Sequence, residues 1–130
     1  MQRTARWLAL GVLAFVAAPA CSDPLGIDDV IGIWNTTSIG GYSVPGTVVY
    51  EGISHDTEYV RWVLYDGGQC TLTQRIAGVT DTYDECDYSV SLEQKTVTII
   101  FQFQAWDGSL DGGSMTLTDP KDTVWILHKQ

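Results

Sequence analysis

The chain has 130 residues, 45% of them apolar, with 16 acidic and 7 basic side chains and a formal net charge of −9. That is enough apolar sequence for one folded domain and too much for a disordered chain. The acidic balance repels phosphate backbones and so excludes nucleic acid as a partner, while it suits solubility or a basic protein.

At the N-terminus, Arg3 and Arg6 precede an uncharged apolar run, Trp7 to Val16, and Ala17, Ala18, Pro19 and Ala20 then lead into Cys21. A charged start, an apolar middle and a small-residue cleavage site make a secretory signal over residues 1–20. The apolar run is too short to cross a bilayer, which takes about 20 such residues. The cleavage site has two readings. Ala18-Pro19-Ala20 suits ordinary signal peptidase, whereas a cysteine directly after it resembles a bacterial lipobox. The lipobox implies a lipid-anchored protein of the cell envelope, with Cys21 as the attachment point and residues 21–30 as anchor and tether. A single acyl chain binds a membrane only marginally, and the several chains of a lipoprotein overcome that. Ser22, following the cysteine, resembles the outer-membrane signal of Gram-negative lipoproteins. Removal of residues 1–20 leaves five basic side chains (Arg61, Arg75, Lys95, Lys121, Lys129) against all 16 acidic ones, a net charge of −11.

From residue 31 onward the chain alternates at period two, and no stretch holds a helical period for three turns. Eight strands are predicted, over residues 31–38, 46–53, 58–65, 69–77, 82–91, 95–104, 111–118 and 122–129. The clearest is the sixth, where Val97, Ile99, Phe101 and Phe103 share one face and Thr96, Thr98, Gln102 and Gln104 the other. Its β-branched and aromatic residues suit a half-buried pleated surface. Asp66-Gly67-Gly68, Asp107-Gly108 and Asp111-Gly112-Gly113 offer the positive φ values that tight turns need. The fold class is therefore all-β, an antiparallel eight-stranded up-and-down meander over 31–130. Closing it into a small barrel removes the exposed edges; a two-sheet sandwich is the competing architecture.

Three cysteines would leave an odd thiol in an oxidising compartment. Lipid on Cys21 leaves Cys70 and Cys86 to pair. Their midpoint is Gly78, at the turn Ala77-Gly78-Val79, so a hairpin folded there sets the two cysteines opposite each other. The alternative is two buried free thiols.

The first strand carries Gly32-Ile33-Trp34-Asn35, with Ile39-Gly40-Gly41-Tyr42-Ser43-Val44-Pro45 after it, and the last reads Asp122 to Lys129 with Trp125 and His128. These phrases resemble the short bacterial lipocalin-like lipoproteins, and the Gly-x-Trp is shared with avidin-like barrels. The resemblance implies a lipocalin-like barrel plugged at one end by Trp34, with Lys129 as its partner. It also implies a small hydrophobic ligand. Val60, Trp62, Leu64, Phe101, Phe103 and Trp125 read by default as side chains that pack the interior, and alternatively as the lining of a ligand cavity. An eight-stranded interior is just wide enough for side chains or one small molecule.

Catalytic chemistry has little to work with. The two histidines, His55 and His128, read as surface residues, and the nucleophile, phosphate-loop and His-Glu-x-x-His motifs are missing. The carboxylates of Asp81, Asp84, Glu85 and Asp87, and those of Asp107 and Asp111, lack calcium-loop spacing. The expectation is a monomeric non-enzyme with no cofactor and no metal. It binds a small hydrophobic molecule or a basic protein, or serves a purely structural role.

Overall fold

Alternation of buried and exposed side chains runs through nearly every strand of the structure, a computed structural model that describes residues 25–130. Residues 1–20, expected to be a signal segment, and Cys21 lie outside the described residues. A 3₁₀ turn, Ile27–Asp29, precedes eleven strands. They are β1 (Gly32–Ile39), β2 (Tyr42–Ser43), β3 (Gly46–Tyr50), β4 (Ile53–Leu64), β5 (Cys70–Ile76) and β6 (Val79–Tyr83), then β7 (Cys86–Ser91), β8 (Thr96–Phe101), β9 (Gln104–Asp111), β10 (Ser114–Thr118) and β11 (Val124–Lys129). All pairings are antiparallel, in the order β6-β5-β4-β1-β11-β10-β9-β8-β7, with β2 against β1 and β3 against β4.

The chain is all-β, as its alternation predicts, but with eleven strands in place of eight. The extra strands are β2, in the gap between the first two predicted strands, β6, split from the predicted 82–91 strand at Asp84-Glu85, and β9, which lies mostly between the sixth and seventh. The sixth predicted strand, 95–104, reverses at Gln102-Phe103, where both residues have positive φ (50° and 68°) and Phe101 pairs directly with Gln104. Neither residue is glycine, asparagine or aspartate, the usual occupants of such a turn. The returning chain is β9, which occupies residues expected to be a turn at Asp107-Gly108. Gly108 lies inside that strand for a packing reason. A Cβ there would sit 2.6 Å from the Thr116 carbonyl oxygen and 2.6 Å from Leu117 Cδ2, so glycine lets β10 and its leucine close in.

Two strands bend at register shifts, β1 between Thr36 and Ser38 against β11, and β4 between Thr57 and Tyr59 against β5. Such bulges increase local twist and curl a sheet. The twelve-residue β4 pairs with β3 through its first half and with β1 through its second. The sheet curls around a core that includes Trp34, Val60, Trp62, Leu64, Ile99, Met115, Leu117 and Leu127, all no more than 2% exposed.

The two ends of the strand order, β6 and β7, are consecutive in the chain and both reach β5. Leu72 through Ile76 pair with β6, folding at Ala77-Gly78. Continued unbroken, that register would bring Glu85 opposite Cys70. The break at Asp84-Glu85 shifts it by one residue, and the Cys70–Cys86 disulfide forms with the Cα atoms 4.9 Å apart. Beside it, Gln69 bridges Asp87 and the Tyr88 N–H donates to the Gly68 carbonyl at 2.8 Å.

One end of the hollow is filled. Trp34 is fully buried, its indole N–H donating to the Val30 carbonyl at 2.8 Å. Lys129 is its cross-strand neighbour, but the ammonium passes Gly32 and donates to the Asp28 carbonyl at 2.7 Å. A Cβ on Gly32, whose φ is 141°, would lie 2.9 Å from Lys129 Cε. Residues 25–30, read from composition as tether, are thus built into the domain: Val30 is fully buried and Leu25 packs on the core.

Candidate functional site

The opposite end of the hollow is open, with a cavity of about 360 Å³. The strands that pass it contribute inward-facing positions, two apart in β3 and β5 and three apart in β4, where the bulge between Thr57 and Tyr59 resets the alternation. Val48 and Tyr50 come from β3, Thr57 and Val60 from β4, Leu72, Gln74 and Ile76 from β5, and Phe101, Trp106 and Trp125 from β8, β9 and β11. The turns between β3 and β4, β8 and β9, and β10 and β11 add Glu51, Gln102, Pro120 and Lys121 at the mouth. The volume falls at the lower end of the range for ligand sites, on the order of 300–1,000 Å³, and the lining has the usual apolar walls with a few polar groups.

Aromatic rings form the wall. In order of contact they run Tyr50, Trp125, Trp106, Phe101 and Tyr83, with centroids 6.0, 4.9, 5.9 and 5.8 Å apart and successive planes 64–87° apart. Trp62 stands against three of them, at 5.4 Å from Phe101, 5.2 Å from Trp106 and 6.4 Å from Trp125. Edge-to-face contacts of this kind are favoured by the ring quadrupoles.

Asp119, between β10 and β11, anchors one end of the arc. It is 3% exposed, and its carboxylate accepts from the Tyr50 hydroxyl at 2.6 Å and the Trp125 indole N–H at 3.1 Å. It also accepts from the backbone N–H groups of Lys121 and Thr123, each at 2.9 Å. Burial by itself would raise its pKa. The Tyr50 hydroxyl, the Thr123 N–H, the Trp125 indole and the Lys121 N–H outweigh burial and hold the carboxyl below its ordinary value. Tyr50 moves the other way, pushed well above the usual phenol range by burial and then by its bond to Asp119. Lys121 forms an ion pair with Glu51 at the mouth rather than with Asp119.

The depressed Asp119 pKa has a definite sign in stability. Its contribution is fully present above the unfolded carboxylate value of about 3.9 and is lost as pH falls through the lower folded value. The melting temperature is expected to drop below about pH 4, with the gap between the native chain and Asp119→Asn narrowing there. A gap that stays constant from pH 7 to pH 3 would contradict this.

The structure distributes the expected site residues unevenly. Val60, Phe101 and Trp125 line the cavity, whereas Trp62 and Leu64 are fully buried and are not lining residues. Phe103 is 85% exposed on the β8–β9 turn, a correction to its expected place on the inner face. Trp106, Tyr50 and Tyr83 escaped the sequence reading. Trp106 was hidden because residues 105–110 read as a turn around Asp107-Gly108; the alternation of Trp106 with Leu110 and of Ala105 with Asp107 was the available signal. His55 lies on β4, paired with Val48, and reaches the cavity wall. His128 is exposed on β11. Asp81, Asp84, Glu85, Asp87, Asp107 and Asp111 are exposed, and among the described residues no three His, Cys, Asp or Glu side chains converge as a metal site would require.

Compared with protein-family models, with curated proteins and with solved structures, the chain matches none. The open aromatic cavity is accordingly the feature on which a functional reading rests.

Proposed function

We propose that the chain is a non-enzymatic, exported envelope lipoprotein: a lipocalin-like barrel, anchored by lipid on Cys21, that holds one small hydrophobic or amphiphilic molecule. The observation that carries this reading is the open cavity of about 360 Å³ walled by Tyr50, Trp125, Trp106, Phe101 and Tyr83. A domain with no binding role has no need to leave aromatic side chains facing an unfilled space, since interiors otherwise pack to near-crystalline density. Closure of the curled sheet into a barrel is supported by the contacts that join β5 to β7: the disulfide, the Gln69–Asp87 bridge and the Tyr88–Gly68 hydrogen bond. Export agrees with a disulfide, which persists in oxidising compartments.

Native mass spectrometry of the protein processed in its own envelope and released in mild detergent tests both parts. The expected result is a diacylglyceryl mass on Cys21 and one displaceable small molecule per chain. An unmodified mass would retire the anchor. A chain that carries nothing and takes up no N-phenyl-1-naphthylamine would retire the carrier role.

A second reading, contact with a basic protein, is favoured by the mouth itself. Ile53, Val79 and Phe103 are 61%, 58% and 85% exposed at three turns beside the cavity of an acidic domain. Salt-sensitive binding of a basic protein such as lysozyme would favour it over the small-ligand reading.

A further inference from the structure

Resting on the cavity reading above, the charge around the aromatic arc narrows the class of ligand. Asp119 is buried and makes no ion pair among the described residues; its partners are a hydroxyl, an indole N–H and two backbone N–H groups. These donors are neutral, so a full negative charge remains behind Tyr50 and Trp125, in the β10–β11 turn beside the mouth of the cavity. The nearest cation at the mouth, Lys121, is already paired with Glu51. That leaves the lining with no free permanent positive charge among the described residues.

The two rings that donate to Asp119 are themselves cavity walls. Donating a proton toward an anion shifts electron density into the phenol and the indole, which makes their faces more negative. Aromatic faces attract cations through the ring quadrupole, best for tryptophan, and the attraction is stronger where water is excluded. The five-ring arc, the carboxylate behind it and the acidic domain as a whole therefore favour the same sign of charge. Elsewhere on the lining, Val48, Val60, Leu72 and Ile76 provide an apolar wall suited to a hydrocarbon body.

We propose that the cavity takes a monocationic amphiphile, with an alkylammonium or quaternary ammonium head against Tyr50 and Trp125 in front of Asp119 and its hydrocarbon part against Val48, Val60, Leu72 and Ile76.

The test is a tryptophan-fluorescence titration of the full chain with three probes of equal tail length, octyltrimethylammonium, 1-octanol and octyl sulfate, each below its micellar concentration. At about 0.15 M salt, surface charges are screened beyond about 8 Å, which suppresses adsorption to the acidic exterior. The expected result is one saturable site at which the cation binds about tenfold or more tighter than the alcohol, with the sulfate weakest. Asp119→Asn removes the charge and keeps one of the two accepting oxygens, so it should abolish the preference for the cation over octanol when both are measured on that variant. If Asp119→Asn does not fold, Tyr50→Phe, which retains the ring and loses the bond to the carboxylate, should narrow the preference. Equal binding of octanol and the cation would overturn the charge proposal and leave the cavity reading standing. Multiple, salt-abolished binding of the cation would overturn it as surface adsorption. Failure of all three probes to bind would overturn both readings.

Discussion

Trp62→Ala is expected to destabilise the domain by about 3–5 kcal/mol, the usual cost of deleting a large buried aromatic side chain. The indole is fully buried and packs edge-to-face with Phe101, Trp106 and Trp125. Removing it opens a void beneath the cavity wall and withdraws support from three rings at once. Small domains have only about 5–15 kcal/mol of net stability, so much of the margin would go. The indole N–H has no hydrogen-bond partner among the described residues. Trp62→Phe removes that unpaired donor while keeping most of the ring, and should cost less than half as much as alanine. Denaturant titration of the two variants decides it. A cost below about 1 kcal/mol for alanine would mean that the aromatic cluster is not a packed unit.

The second large effect concerns the disulfide. Converting both Cys70 and Cys86 to alanine should cost about 3 kcal/mol, because the bond closes a loop with a sequence separation of 16 in the unfolded chain. For a domain of this size that corresponds to a fall of roughly 12–24 °C in melting temperature. The bond also has a local role. Without it, β5 and β7 are joined by the Gln69–Asp87 bridge and the Tyr88–Gly68 hydrogen bond, so the seam between the two ends of the sheet should open first. Hydrogen exchange should show faster opening at Tyr88 in the variant than at Leu117, which lies between β9 and β11. Uniform loss of protection would show that the seam is not the weak point.

Much of the candidate site stayed out of reach of sequence reading because one turn was misplaced. Val97, Ile99 and Phe101 were legible as inward-facing by their spacing, and all three are buried. Extending the same alternation put Phe103 inside, although it is itself half of the turn at which the chain reverses. That single error displaced the next strand and concealed Trp106, which touches Trp62, Phe101 and Trp125. Asp119 gave no signal at all, since an aspartate before a proline reads as an ordinary turn residue. Its four donors come partly from Tyr50, which is 69 positions away in the chain.

Features governed by near neighbours along the chain were legible before any coordinates. Period-two alternation made the chain all-β, glycines placed the turns at Gly67-Gly68, Ala77-Gly78 and Gly112-Gly113, and the parity of the cysteines, with Cys21 set aside, pointed to Cys70 and Cys86, although the break at Asp84-Glu85 and not the hairpin register sets them opposite each other. The tertiary structure alone decided the number of strands, the reversal at Gln102-Phe103, the use of Gly108 as a close-packing position and the existence of the cavity. Each of these depends on partners far along the chain. The Gln102-Phe103 turn is imposed by the ladder that pairs Phe101 with Gln104, and no local preference asks for positive φ there. The cavity arises where inward side chains from β3, β4, β5, β8, β9 and β11 meet without filling the space, a condition set by the curl of the sheet.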